Sequence, residues 1–435
     1  MQIETLGHAT LVLSDGSRAP ILVTDPWLVG SCYWRSWWLE RYPSEAEIGR
    51  LAETRWIYIT HEHPDHLHPP SLRRLGGKPE LLLPDFQRCR MHDYLAEQGW
   101  RTRRLKAEEW TTLAPDVRVL SLPTWNNDSI LLIDTPTALI VNLNDAKPSR
   151  IALNRLGRLK RRFGKRCILL RSYSPAAPIN SYFIDGKRMT AGKQGYISAV
   201  QRACAAIDAD DFIPFASQVA FHRADTEWAN QYKVRFEDLE KAWCSRTRLL
   251  PPYSRVDLTC GEPARRKEFA QAGRSPPITA RVAEQAAEDA RAAWSAADST
   301  LLESRLRAIR LPLQLLFPRG FTIQAGDMRL SWNAAAARFA ARKDLGHFLL
   351  TVPLLPLTEA LRRGHLGDLC IPMFAKIDLH GGTRQDRVNW FFMLLILQDY
   401  GYVGDWPSTL AWLGWAWKRR SALRRPLSIP RIRSA

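Results

Sequence analysis

Residues 61–66 read His-Glu-His-Pro-Asp-His. His61, His63, Asp65 and His66 bring imidazoles and a carboxylate together directly after the apolar run Trp56-Ile57-Tyr58-Ile59. A single histidine on a loop carries little meaning. Four potential ligands at H-x-H-x-D-H spacing after a strand describe a metal site. On a turn leaving a strand, His61 and His63 can point the same way and grip one metal, while Asp65 and His66 face a second beside it. Imidazole and carboxylate suit zinc, iron or manganese better than calcium.

The segments around the cluster must build the rest. The run 56–59 alternates too little to be half exposed and reads as a buried strand. A strand within residues 2–13 is interrupted by Leu6-Gly7-His8-Ala9-Thr10, and one over 19–23 runs into Thr24-Asp25-Pro26-Trp27-Leu28. Residues 27–38 then hold four tryptophans. Strands over 117–122 and 130–134 are joined by Pro123-Thr124-Trp125-Asn126-Asn127-Asp128, and the apolar strand 138–143 ends in Asn144-Asp145. A strand over 167–171 leads to a loop, 172–178, expected to line a pocket. A helix covers 193–207. A strand-like Phe212-Ile213-Pro214-Phe215 precedes Phe221-His222-Arg223.

At 435 residues the chain is long for one domain and has apolar content for a sizeable core. No signal-peptide pattern opens it, and the longest strongly apolar run, 390–397, is far short of a spanning helix. The expectation is a soluble, cytoplasmic protein. Seven scattered cysteines without a C-x-x-C pair argue for reduced thiols and against a zinc ribbon or a cysteine-held iron–sulfur cluster. Of the net charge of +18, part sits in the runs 155–166 and 418–435, each with seven Lys/Arg. A solvated basic surface is the favoured reading, and no nucleic-acid motif supports a nucleic-acid partner.

The segments "LGHAT" and "TDPWL" upstream of the histidines are similar to lactonase-like and phospholipase-D-like members of the metallo-β-lactamase superfamily. With the aromatic loop ending in Trp37-Trp38, the chain resembles more narrowly the CMP-N-acetylneuraminate hydroxylase-like branch, best over residues 1–260. That family's Rieske pattern, C-x-H … C-x-x-H, is missing from this sequence. The resemblance implies an α/β protein, an αββα sandwich with a binuclear metal site at one edge and a C-terminal α+β accessory domain. It implies His61 and His63 on one metal, Asp65, His66 and His222 on the other, and Asp145 bridging both. His8 and Asp25 fall at or near the pocket, and Asp65, Asp145 and His8 are the candidate catalytic residues. Most relatives place a histidine in the 123–128 loop. Here Asn126, Asn127 or Asp128 must fill the position, with Asn126 carried as the ligand. Such oxygen ligands tilt the site from zinc towards iron or manganese.

Two reaction classes follow. The favoured one is a di-iron oxygenase that hydroxylates or N-oxygenates a small polar or anionic metabolite and draws electrons from an external donor or reductase. The other is a zinc or manganese hydrolase of an ester, lactone or phosphodiester. A non-catalytic scaffold stands third. Asp25, Arg35, Lys147 and Arg171 are the candidate substrate contacts, chosen because they adjoin the motifs.

The second half divides into a linker and one long amphipathic helix over 261–308 and an accessory domain over 309–435. In the latter, strands are expected at 321–324, 328–330 and 348–352, and helices at 353–363 and 388–400. The tryptophans near its end read first as packing against the first domain or a partner. Contact with a membrane surface through the basic C-terminus is the alternative. His68 and His92 read as surface or pocket-wall residues, and His347, His365 and His380 as structural.

Overall fold

Strand Ala138–Asn144 is buried at every position, as a strand with both faces covered must be. The computed structural model describes residues 1–174, 181–190, 192–259, 263–265, 276–341 and 344–420. Ala138–Asn144 is the centre of a seven-stranded sheet ordered Arg248–Leu249, Asp211–Phe215, Arg166–Ser172, Ala138–Asn144, Ser129–Asp134, Val117–Pro123, Trp110–Ala114. Facing it is an eight-stranded sheet ordered Pro263–Arg265, Ser254–Asp257, Gln2–Leu6, Thr10–Ser14, Pro20–Thr24, Trp56–Tyr58, Glu80–Pro84, Thr102–Leu105.

Period-two alternation sorts the side chains. Tyr58 and Leu82 face inward with Leu11 and Leu13, against Val119, Leu131, Ile140, Ile168 and Ile213 of the other sheet. Ile57, Leu81 and Leu83 face outward, beneath helices Glu45–Leu51, Pro69–Leu75 and Arg90–Glu97. On the opposite outer face, Leu132, Leu139, Val141 and Leu169 pack under helices Arg150–Phe163, Lys193–Ile207 and Phe236–Ala242. The result is the expected helix–sheet–sheet–helix sandwich.

Two of the outer helices touch at Gly157, where an added Cβ would fall 2.4 Å from the Ala206 carbonyl oxygen. Alanine there gains about 1 kcal/mol of helix propensity but forces the helices apart, at about 3 kcal/mol. Gly157→Ala is therefore expected to lose about 2 kcal/mol net, read as a lower urea midpoint at unchanged m.

A third sheet lies in the second half of the chain, in the order Lys187–Arg188, Tyr182–Ile184, Lys376–Leu379, Phe348–Thr351, Phe321–Ala325, Met328–Asn333, Arg338–Phe339. Helices Ala296–Ala308, Arg310–Leu316, Leu354–Arg363 and Gln385–Asp399 pack on it through Leu306, Leu313, Leu357 and Phe391 against Phe321, Trp332 and Phe348. Its first two strands come from before residue 260, so a boundary there is crossed by a sheet.

The single long helix expected up to residue 307 is two, Pro276–Arg291 and Ala296–Ala308. Ser295 caps the second: its hydroxyl accepts from the Asp298 N–H while the Asp298 carboxylate accepts from the Ser295 N–H. That capping box starts a new helix inside an alanine-rich stretch. The expected linker (mostly 260–275), part of the 172–178 loop and the tail beyond 420 lie outside the described residues. No helix among the described residues is long and apolar enough to cross a membrane.

Candidate metal centre

The centre forms where strands of both sheets end. Asp25 follows strand Pro20–Thr24 with φ of 40° and is fully buried. One carboxylate oxygen accepts the Thr60 N–H at 2.7 Å; the other accepts the Thr60 hydroxyl at 2.8 Å and lies 3.1 Å from His66 Nδ1. The Asn144 side-chain amide donates to the same oxygen. A proton on Nδ1 shared with Asp25 leaves the lone pair of His66 on Nε2, which faces Asp65 at 3.2 Å and Asp145 at 3.4 Å. Asp25 is thus an orienting carboxylate beneath His66. This corrects its expected role: with no exposed surface it cannot meet a substrate.

His8, on the turn between Gln2–Leu6 and Thr10–Ser14, places Nε2 3.1 Å from Asp65 Oδ2, with its ring against Trp27 and Trp37. Tyr33 donates its hydroxyl to the other Asp65 oxygen at 2.8 Å. His61 Nε2 and His63 Nδ1 stand 2.8 Å apart, and Asp128 Oδ1 is 3.7 Å from His61 Nε2.

These donors suit a pair of metal ions. Ligand atoms of His8, Asp65 and His66 lie within 4.8 Å of one another, as do those of His61, His66 and Asp145. Among the described residues the buried Nε2 atoms of His8 and His66 face these carboxylates without a well-aligned hydrogen bond. The electrostatics also ask for positive charge. Burial opposes ionisation at His66, yet Asp65 and Asp25 prevail and hold its pKa well above the usual imidazole range. Burial likewise opposes charge on Asp65, but His66 and His8 hold that carboxyl well below the usual value. His61 goes the other way: burial, then His66 and His63, push it well down, keeping a neutral ring with a lone pair to give. A proton on His66 does here what a divalent cation would do better.

Two expected ligands are corrected. Asn126 accepts from the Thr124 hydroxyl and donates to Asp128 Oδ2 at 3.0 Å, so it holds Asp128, and Asp128 is the loop residue that reaches His61. Burial raises the Asp128 pKa. His222 is turned away. It follows strand Val219–Phe221, where Phe221 packs on Trp37 inside while the His222 ring meets Trp38 outside, in a cleft with Glu40, Arg41 and Lys233. His8 occupies the place expected for it beside Asp65 and His66.

Among the expected substrate contacts, Arg171 donates to the Ala199 carbonyl under helix Lys193–Ile207 and is thereby corrected. Lys147 is exposed near Asp128. Arg35 lines a cleft of about 600 Å³ beside the cluster, tied to Glu288 at 3.4 Å on helix Pro276–Arg291. His68 is buried and caps helix Pro69–Leu75, whereas His92 is on the surface beside Asp93. Tyr33, Trp34 and Arg35 all have φ between 50° and 59°. Such a left-handed run costs about 1–2 kcal/mol per residue. It is held by Tyr33 on Asp65, Trp34 on Glu359 at 2.9 Å and Arg35 on its glutamates.

Sequence reasoning missed the contribution of the second half. Asp368, in the short helix Leu366–Cys370, brings Oδ1 to 3.7 Å from His63 Nε2, a buried nitrogen otherwise without a hydrogen-bond partner. His365 lies 3.5 Å from the same carboxylate. Both line the cleft, with Glu62 and Arg90. The signal was weak: a lone His-x-x-Asp far from the motif. Asp368→Asn is expected to lower affinity for the metal held by His63 about 10- to 100-fold, read by chelator competition.

No family model matches the chain. It is 41% identical over 78 residues to the inactive cytidine monophosphate-N-acetylneuraminic acid hydroxylase of Homo sapiens, covering 18% of this chain and 15% of that protein. It is 29% identical over 159 residues to a putative Rieske 2Fe-2S iron–sulfur protein of Mycolicibacterium smegmatis, covering 34% of this chain and 30% of that one. The matches thus span less than a third of these relatives. Among solved structures, a mutant of the CmlA β-hydroxylase is similar with a TM-score of 0.35 and 14% identity, covering 49% of this chain and 45% of that chain.

Proposed function

We propose that the chain is a binuclear metal-dependent enzyme and that its reaction is oxygenation of a small polar or anionic metabolite. The observation that carries this reading is the donor set itself: His8, His61, His63 and His66 converge with Asp65, Asp128 and Asp145 in one cluster, buried but for His63 and Asp145 at its mouth. His61, His63 and Asp128 would hold one metal, and His8, Asp65 and His66 the other, with Asp145 between. The Asp128 carboxylate makes the set harder and favours iron or manganese over zinc. The similarity over 78 residues to the cytidine monophosphate-N-acetylneuraminic acid hydroxylase of Pongo pygmaeus supports the same choice. When bound, such a metal pair supplies Lewis acidity and, as iron, the capacity to activate dioxygen.

The protein's own residues do the rest. Asp25 fixes the His66 ring, and Tyr33 engages one oxygen of Asp65 and leaves the other facing His8 and His66. Arg90, His365 and Arg35 give the cleft cationic groups for an anionic substrate. Electrons would come from an external reductase. The second reading, hydrolysis of an ester, lactone or phosphodiester, is favoured by one fact: the same cluster could activate water without any electron donor.

Elemental analysis of protein purified without added metal, with its visible spectrum, separates the two. About two irons per chain, with absorption that bleaches on reduction, is the expected result. Zinc with a silent spectrum would move the protein to the hydrolases, and no metal under any loading would overturn both.

A further inference from the structure

Glu62 stands between His61 and His63 and lines the cleft of about 600 Å³ beside the metal centre. Its side chain is only 12% exposed, yet among the described residues its carboxylate takes no hydrogen bond. Arg90 Nη1 is 3.7 Å away, too far for one. The other carboxylates of the cleft have closer company. Glu359 accepts the Trp34 indole N–H at 2.9 Å, and Asp368 lies between His63 and His365. Arg90 is also incompletely used. Nη1 donates to the carbonyls of Gly364 and Asp399, while Nε and Nη2, the edge that meets a carboxylate with two parallel N–H groups, have no hydrogen bond among the described residues. Arg35, by contrast, donates to the Arg281 carbonyl and faces two glutamates.

A carboxylate with open acceptor sites beside a guanidinium with an open donor edge fits a ligand that carries an ammonium and a carboxylate side by side. An α-amino acid holds both on one carbon. The wall next to this pair is apolar. Tyr94 lies one turn beyond Arg90 on helix Arg90–Glu97, on the same face and 39% exposed, and Met91 and Leu67 line the cleft with it. A cleft of this size has room for such a molecule. We propose, resting on the binuclear-enzyme reading above, that the substrate is an α-amino acid with an apolar or aromatic side chain. Glu62 receives its ammonium, Arg90 its carboxylate, and Tyr94, Met91 and Leu67 its side chain. Because Asp368 reaches both this cleft and His63, a head group held there lies at the metal end.

The test is calorimetric titration of the full chain, as purified, with L-phenylalanine, 3-phenylpropionate, 2-phenylethylamine and L-alanine. L-Phenylalanine should bind at least about tenfold tighter than the two analogues that lack one charge, and at least about tenfold tighter than L-alanine, which lacks the ring. Glu62→Gln should weaken L-phenylalanine about tenfold and leave 3-phenylpropionate bound at least as tightly. Arg90→Gln should weaken both of these and spare 2-phenylethylamine. If either variant fails to fold, the ranking of the four probes on the parent decides alone. Equal binding of L-phenylalanine and either single-charge analogue overturns the proposal, and equal binding of L-alanine overturns its apolar wall. Elemental analysis of the same samples separates it from the reading beneath it. Metal without L-phenylalanine binding overturns the proposal alone, L-phenylalanine binding without metal under any loading overturns the enzyme reading alone, and neither overturns both.

Discussion

With His66 replaced by alanine, the metal assigned to His8, Asp65 and His66 should no longer bind, and the hold on its neighbour should weaken. His66 lies in both groups of clustered donors, the one with His8 and Asp65 and the one with His61 and Asp145. Its loss also leaves Asp25, Asp65 and Asp145 around a cavity with no cation between them. Breaking such a buried arrangement costs on the order of 3–5 kcal/mol, beyond the lost coordination. Metal content after extensive dialysis should fall from about two ions per chain to about one or fewer, and the variant should melt well below the parent. Retention of full metal content would sink the ligand assignment at its centre.

Removing Asp25 should be almost as damaging, although Asp25 touches no substrate and faces no metal. Its carboxylate is the acceptor for the Thr60 N–H, the Thr60 hydroxyl and the Asn144 amide, so Asp25→Ala takes the acceptor from three buried donors, at about 1–3 kcal/mol for each left unsatisfied. The φ of 40° adds strain for alanine that asparagine tolerates. The His66 ring also loses the partner that fixes its tautomer, which lowers metal affinity about 10- to 100-fold. Asp25→Asn should keep the fold and still weaken the metal, because an amide is a poorer acceptor for Nδ1–H. Calorimetric melting with and without chelator separates the two losses. Were Asp25→Asn to bind metal like the parent, the orienting role would be wrong.

The parts of this centre written locally in the sequence were legible. Asp65, His66 and His61 sit within one turn after a buried strand, so spacing sufficed. Asp145 ends a strand whose apolar run announced it. The errors came where a residue's direction depends on packing between elements. His222 follows a strand as expected, but the pairing of Val219–Phe221 with Trp37–Leu39 sends Phe221 inward and His222 outward. Within Asn126-Asn127-Asp128, hydrogen bonds internal to the loop, from Thr124 to Asn126 and from Asn126 to Asp128, select the aspartate. Asp368 lies some 300 residues from His63, a separation over which no local pattern speaks. For the fold, the sandwich was implied by the resemblance of the motifs to a known superfamily, whereas the break at Ser295 was written only in a capping box within an alanine-rich stretch.

The strand Tyr182–Ile184 has a consequence for how this chain is made. Its neighbour in the third sheet is Lys376–Leu379, with Tyr182 paired to Ile377 in register. During synthesis, the segment must therefore wait until its partner, nearly 200 residues downstream, has left the ribosome, and the loop closed by that pairing is among the entropically slowest kinds. A truncation that ends with the first sandwich would leave Tyr182–Ile184 as a bare edge beside the metal-binding core, open to pairing with another chain. Nascent chains stalled before residue 376 should accordingly be more prone to aggregation than those stalled after residue 379.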